Sequence, residues 1–99
     1  MNITAHKRQN TCTLLISGRI DTLTAPELEK AFSENADSCE KMIFDMSGAD
    51  YISSAGLRVL VSSHRNMEKK NGLVLKGVKG NVSDILKMTG FDGFLNIEK

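Results

Sequence analysis

Met42-Ile43-Phe44-Asp45-Met46-Ser47-Gly48-Ala49-Asp50-Tyr51-Ile52-Ser53-Ser54-Ala55-Gly56-Leu57-Arg58-Val59-Leu60 decides how this chain folds. Its first five residues are almost wholly apolar. A run that short reads as an interior strand covered on both sides, or nearly so. Ser47 to Asp50 reads as the loop that leaves it. Beyond Ser54 the period changes: Leu57, Leu60, Val61, His64 and Met67 recur at i, i+3, i+4, i+7 and i+10. That is the stripe of an amphipathic helix. It is expected to stop near Asn71-Gly72, with Lys69 and Lys70 in a last turn that suits cations.

The flanks repeat the alternation of strand and helix. Upstream, Cys12, Leu14 and Ile16 share one parity, so Thr11 to Ile20 reads as a strand with one buried face. A weaker strand at Ile3 to Lys7 pairs with it through a polar turn at Gln9-Asn10. Thr24-Ala25-Pro26-Glu27 has the form of a capping box and opens a helix that carries Leu28, Ala31 and Phe32 to about Ala36. Downstream, Leu73 to Val78 is a strand, and Asn81 is expected to cap a short helix bearing Val82, Ile85 and Leu86 that stops at Gly90. Phe94 to Ile97 closes as the last strand. The order β-β-α-β-α-β-α-β specifies an α/β fold: one domain over residues 1–99, with helices packed on a parallel or mixed sheet.

Composition narrows the function classes. The 99 residues carry 13 Lys and Arg against 12 Asp and Glu, a formal net charge of +1. Binding nucleic acid or an anionic membrane by charge needs a basic excess or cluster, and neither is present in the sequence. No apolar run approaches the roughly 20 residues of a membrane span. The start, Met1 to Arg8, lacks the apolar stretch of a secretory signal. The expectation is a small cytoplasmic domain with no membrane partner and no direct nucleic-acid partner.

Catalytic and cofactor chemistry is poorly provided for. Cys12, Cys39, His6 and His64 form no pair at metal-ligand spacing, and His64 falls on the apolar stripe. There is no GxxxxGK[ST] loop and no GxGxxG. Gly77-Val78-Lys79-Gly80-Asn81 resembles an ordinary strand-to-helix turn more than an anion cradle. A Gly-x-Ser-x-Gly elbow is missing, and Ser54 has only His6 and His64 as candidate bases. A receiver-like reading with Asp45 as phosphoacceptor lacks the N-terminal acidic pair that would hold Mg²⁺. The chain therefore reads as a non-enzyme without metal or cofactor.

What remains is a pair of hydroxyls, Ser53 and Ser54, at the start of the best-defined helix. One of them can cap the helix by accepting from its free amides. A helix N-terminus also tolerates a phosphoryl group, because its free N–H groups and dipole favour negative charge. Gly56, a small residue in the first turn, is expected to admit a partner closely.

With these residues in view, the segment Asp45 to Leu60 closely resembles the signature of the STAS domain of bacterial anti-sigma factor antagonists. Gly18-Arg19-Ile20-Asp21-Thr22-Leu23-Thr24-Ala25-Pro26-Glu27-Leu28 resembles the turn into that family's first helix. Ile85-Leu86-Lys87-Met88-Thr89-Gly90-Phe91 resembles its later helix with a small-Gly-hydrophobic end. The resemblance spans essentially the whole chain. It implies a mixed sheet of four to five strands. The family's C-terminal helix is expected to be short or missing, since the chain stops after its last strand.

The resemblance also implies a mechanism. An unphosphorylated antagonist docks on an anti-sigma factor, itself an ATP-dependent serine kinase, and so frees a sigma factor. Phosphorylation at the start of the second helix breaks the complex, and a phosphatase restores it. Aligning on Gly56-Leu57 puts Ser54 at the acceptor position, with Ser53 as its rival and the more natural cap. Ser53 stands where many members have Asp, and Ala55 where they have Ser or Thr. The implied partner surface comprises Asp21, Thr22, Ser53, Ser54, Gly56 and Arg58, with Ser47 to Tyr51 beside them. Two other roles known in the family stay open here: a nucleotide-binding domain, against which the missing phosphate loop speaks, and a subunit of a stress-sensing or lipid-transport assembly.

Overall fold

In a computed structural model that describes residues 1–98, the elements follow the expected order. They are β1 (Asn2–Arg8), β2 (Thr11–Ile20), α1 (Ala25–Ala36), β3 (Lys41–Ile52), α2 (Ser54–Met67), β4 (Leu73–Lys76), α3 (Gly80–Thr89) and β5 (Ile97–Glu98), with a 3-10 turn at Phe91–Gly93 before the last strand. The sheet has five strands in the order β1-β2-β3-β4-β5. β1 and β2 form an antiparallel hairpin, and every later pairing is parallel.

Sequential parallel neighbours joined by right-handed crossovers must carry their helices on one face of the sheet. Burial follows that rule. Cys12, Leu14 and Ile16 of β2, Met42, Phe44 and Met46 of β3, and Leu73 and Leu75 of β4 are buried. Leu28 and Phe32 of α1, Leu57 and Leu60 of α2, and Val82 and Leu86 of α3 close over them, and Phe32 meets Phe44 edge to face at 6.1 Å. The opposite parity, Thr13, Ile43, Asp45 and Val74, is only half-buried. The expectation that β3 is covered on both sides is thus corrected. Its apolar run reflects central placement in a sheet with one helical face.

Ser47 to Asp50 is a second correction, because β3 does not end there. Pairing with β2 continues through Ser17–Gly48 and Gly18–Ala49 to Ile20–Ile52, with register shifts between Leu15 and Ser17 and between Gly18 and Arg19. Bulges bend and twist a strand. Here they replace alternation by a spacing of three, so that Met46, Ala49 and Ile52 all return to the core. Gly48 is required by the tight pairing, since a Cβ on it would lie 2.8 Å from Ser17 Cβ.

Three helix ends differ from the sequence reading. Thr24 makes no capping bond to α1. Its hydroxyl oxygen accepts from Asp21 N–H at 2.8 Å and donates to Arg19 C=O at 2.7 Å, so it is consumed in the preceding turn. Asn81 does not cap α3 either, which begins after Lys79. Asn81 Oδ1 instead accepts from Ile52 N–H at 3.4 Å, tying α3 to the end of β3. Finally, α2 stops at Met67, and Lys70 Nζ donates to Ala36 O at 2.8 Å and Cys39 O at 2.9 Å. The lysine serves the carbonyl end of α1, where a cation also complements the dipole. Phe94 to Asn96 precede the last strand, which is shorter than expected.

Candidate functional site

β2 and β3 finish side by side at Ile20 and Ile52, and both chains turn there into helices. Ser53 N–H donates to Ile20 C=O at 2.9 Å, so the entry to α2 is bonded to the entry to the Asp21 turn. Ser53 holds extended backbone, and its hydroxyl oxygen accepts from Gly56 N–H at 3.4 Å. It is the cap. Ser54 is the first residue of α2 and is exposed. One sequence position therefore separates a hydroxyl used by the fold from one left to solvent.

The neighbouring turn is fixed by its own side chains. Asp21 Oδ1 accepts from Leu23 N–H at 3.0 Å and from Thr24 N–H at 3.1 Å, while Asp21 C=O accepts from Ala25 N–H at 2.7 Å. The Thr24 N–H bond is the main reason the Asp21 carboxyl lies below its ordinary 3.8. Partial burial opposes it, and the Thr24 hydroxyl, Leu23 N–H and Arg19 add to it. Arg19 Nε sits 3.7 Å from Asp21 Oδ2, and its guanidinium lies over the Tyr51 ring at 4.1 Å from the centroid. Asp21 thus acts first as the organiser of a turn.

Asp21, Thr22, Ser53 and Ser54 are brought together at this end of the sheet. Arg58 is exposed one helical turn beyond Ser54 and, with Thr22, Ala25, Pro26, Glu29 and Ala55, lines a shallow depression between α1 and α2. Gly56 does not belong with them. It is buried, and a Cβ on it would lie 2.7 Å from both Ile20 Cγ2 and Ile52 Cγ1. Its close approach is to the protein's own core, which corrects its place among partner-facing residues. Ser47 to Asp50 line a separate depression with Lys79, Gly80 and Asn81, and Ser47 is occupied with Asp45. The Asp45 carboxylate accepts from the Ser47 hydroxyl at 2.7 Å and its N–H at 3.0 Å, and these two bonds hold it below 3.8.

Arg19 is not among the candidate residues of the sequence, and Asn81 is there only as a helix cap. Arg19 depends on a strand pairing with Tyr51 that no local pattern reveals. Asn81 looked like a cap because Asn before a helix usually is one. Among the described residues no group of three or more His, Cys, Asp and Glu could hold a metal ion, and no helix is long and apolar enough to cross a membrane.

Comparison with known proteins places this geometry. The family model described as the STAS domain matches residues 2–99. The chain belongs to the STAS domain family. Its relatives within that family include anti-sigma factor antagonists. BtrV of Bordetella bronchiseptica, named a putative anti-sigma factor antagonist, is 30% identical over 93 residues, covering 92% of this chain and 80% of BtrV. The crystal structure of an anti-sigma factor antagonist from Mycobacterium paratuberculosis superposes with a TM-score of 0.88 at 25% identity, covering 97% of this chain and 83% of that one. SpoIIAA, a Bacillus cell fate determinant solved in its phosphorylated form, shares the fold at a TM-score of 0.74 and 12% identity, covering 99% and 92%. This STAS domain therefore carries the regulatory family's fold over its described length, with the hydroxyl pair at the entry to α2.

Proposed function

We propose that this STAS domain is an anti-sigma factor antagonist switched by phosphorylation of Ser54. Unphosphorylated, it docks on an anti-sigma factor with serine kinase activity through the surface around Asp21, Thr22, Ser53, Ser54 and Arg58, and so releases a sigma factor. The kinase transfers phosphate to Ser54, the complex separates, and a phosphatase returns the chain to its binding form. The observation that carries this reading is the division of labour between the serines: Ser53 caps α2 while Ser54 is exposed and free of the fold.

The electrostatics support both halves of the cycle. A phosphoserine adds about −1.5 to −2 charges near pH 7, and the first turn of a helix is where the backbone best accommodates them. The fold thus survives the modification. An interface does not, because burying an unpaired phosphate costs several kcal/mol and each ~1.4 kcal/mol is tenfold in affinity. SpoIIAA, whose fold this chain shares, has been solved phosphorylated.

The test is incubation with ATP and the serine kinase encoded nearest to this chain's gene, followed by phosphosite mapping. Phosphate is expected on Ser54 in wild type and in Ser53→Ala, and to be lost in Ser54→Ala. Equal incorporation into Ser54→Ala would overturn the site, and undiminished binding of Ser54→Asp to the kinase would overturn the switch.

A further inference from the structure

Leu23 is the most solvent-exposed large hydrophobic side chain among the described residues, at 85% of its full accessibility. It is not a loose loop residue. Its own N–H and that of Thr24 donate to Asp21 Oδ1, the Thr24 hydroxyl bridges Asp21 N–H to Arg19 C=O, and Ala25 N–H donates to Asp21 C=O. The turn spends five hydrogen bonds to hold outward a side chain that contributes nothing to the core. Polar residues serve a turn equally well without exposing a leucine to water.

We infer that Leu23 is the apolar anchor of the docking surface, and that the partner is a folded protein presenting a leucine-sized pocket beside a carboxylate that meets Arg58. This rests on the antagonist reading above and names the chemistry of its partner. Position supports it. The Ser53 N–H to Ile20 C=O bond joins the α2 entry to the turn, and the depression lined by Thr22, Pro26, Glu29, Ala55 and Arg58 runs between them. Thr22 and Ala55, the chain neighbours of Leu23 and Ser54, both line that depression, so a partner that reaches Ser54 across it also meets the turn. Arg58 forms no ion pair among the described residues and offers that partner an uncommitted cation. A pre-ordered turn also loses little freedom on binding, and buried apolar anchors usually dominate an interface.

Met88 provides the internal control. It is 81% exposed, but it lies in the last turn of α3. A crossover helix runs back along the sheet, so Met88 sits at the end opposite the Leu23 turn.

The experiment is calorimetric titration of the cognate anti-sigma factor kinase with wild type, Leu23→Ala, Leu23→Ser, Arg58→Gln and Met88→Ala, with thermal melts and sedimentation of each. Leu23→Ala and Leu23→Ser are expected to weaken binding about tenfold or more with unchanged melting. Arg58→Gln is expected to weaken it as well, and Met88→Ala to leave it unchanged. If wild type binds and the Leu23 variants bind as tightly, or Met88→Ala loses as much, the anchor is refuted while the antagonist reading stands. If wild type does not bind, that reading fails and the anchor with it. Self-association of wild type that Leu23→Ala abolishes, with kinase binding intact, would replace the proposed partner by a second copy of the chain.

Discussion

The Ser53 hydroxyl accepts from Gly56 N–H at 3.4 Å, and through this bond the residue before α2 belongs to the fold while Ser54, the next, does not. Ser53→Ala is expected to cost about 0.5–1 kcal/mol, the lower part of the range for a lost cap because the bond is long. Ser54→Ala should stay within about 0.5 kcal/mol of wild type, as exposed substitutions usually do. Urea unfolding of the two variants measures both, and a larger loss for Ser54→Ala would reverse the assignment.

Gly56→Ala sets two effects against each other. In the helix Ala is favoured over Gly by roughly 1 kcal/mol. The added methyl, however, would stand 2.7 Å from Ile20 Cγ2 and Ile52 Cγ1 and 3.1 Å from Ile20 O. Two core side chains and a strand carbonyl must move, and overpacking of that kind costs about 1–3 kcal/mol. A net destabilisation is expected in chemical denaturation. A stabilised variant would mean that the α2 entry yields more easily than its packing indicates.

Asp21 and Asp45 set the acid limb of stability. Both carboxyls lie below the ordinary 3.8, chiefly through Thr24 N–H for Asp21 and the Ser47 hydroxyl for Asp45. A group depressed in the folded state contributes stability that is fully present above its unfolded pKa and lost as pH falls through the folded one. Stability is therefore expected to fall below pH 3.8, and carboxyl NMR titration should place both midpoints under that value. Asp21→Asn should remove part of this dependence. A midpoint for Asp21 at or above 3.8 would contradict the hydrogen bonding of the turn.

Cys39 should be inert in the folded protein. It is buried with Cys12, and both thiols point at Asn35 C=O, at 3.3 Å and 3.8 Å. Burial first, and the Cys12 thiol second, push the Cys39 thiol up to about 11. The reactive thiolate is therefore scarce near neutral pH. Iodoacetamide is expected to leave Cys39 unmodified in native protein and to label it in urea, read by mass spectrometry. Rapid native labelling would show that the end of α1 opens readily.

Most of the architecture was legible because its signals are local. The parity of Cys12, Leu14 and Ile16, and the helical spacing of Leu57, Leu60 and Met67, report which side of each element meets the core. Gly90 then marks where α3 stops. Ser53 and Ser54 were legible as a pair for the same reason, being a hydroxyl motif at a helix start. The errors arose where a local pattern competed with a distant partner. Thr24 and Asn81 both look like caps, yet Thr24 is claimed by Arg19 and Asp21, and Asn81 by Ile52, 29 residues away. Ser47 to Asp50 look like a loop because bulged pairing with β2 leaves no alternation to read.

The sequence by itself determined the order of strands and helices, the buried face of β2 and of the helices, and the small hydroxyl-bearing entry to α2. These follow from hydrophobic period and helix-end chemistry, which act within a few residues. Only the tertiary structure decided that the helices cover one face, that Gly56 faces Ile20 and Ile52, and that Leu23 stands in water. Those outcomes depend on which chains run side by side. Such pairings are set by the summed burial of the whole sheet, and no short window of residues carries that sum.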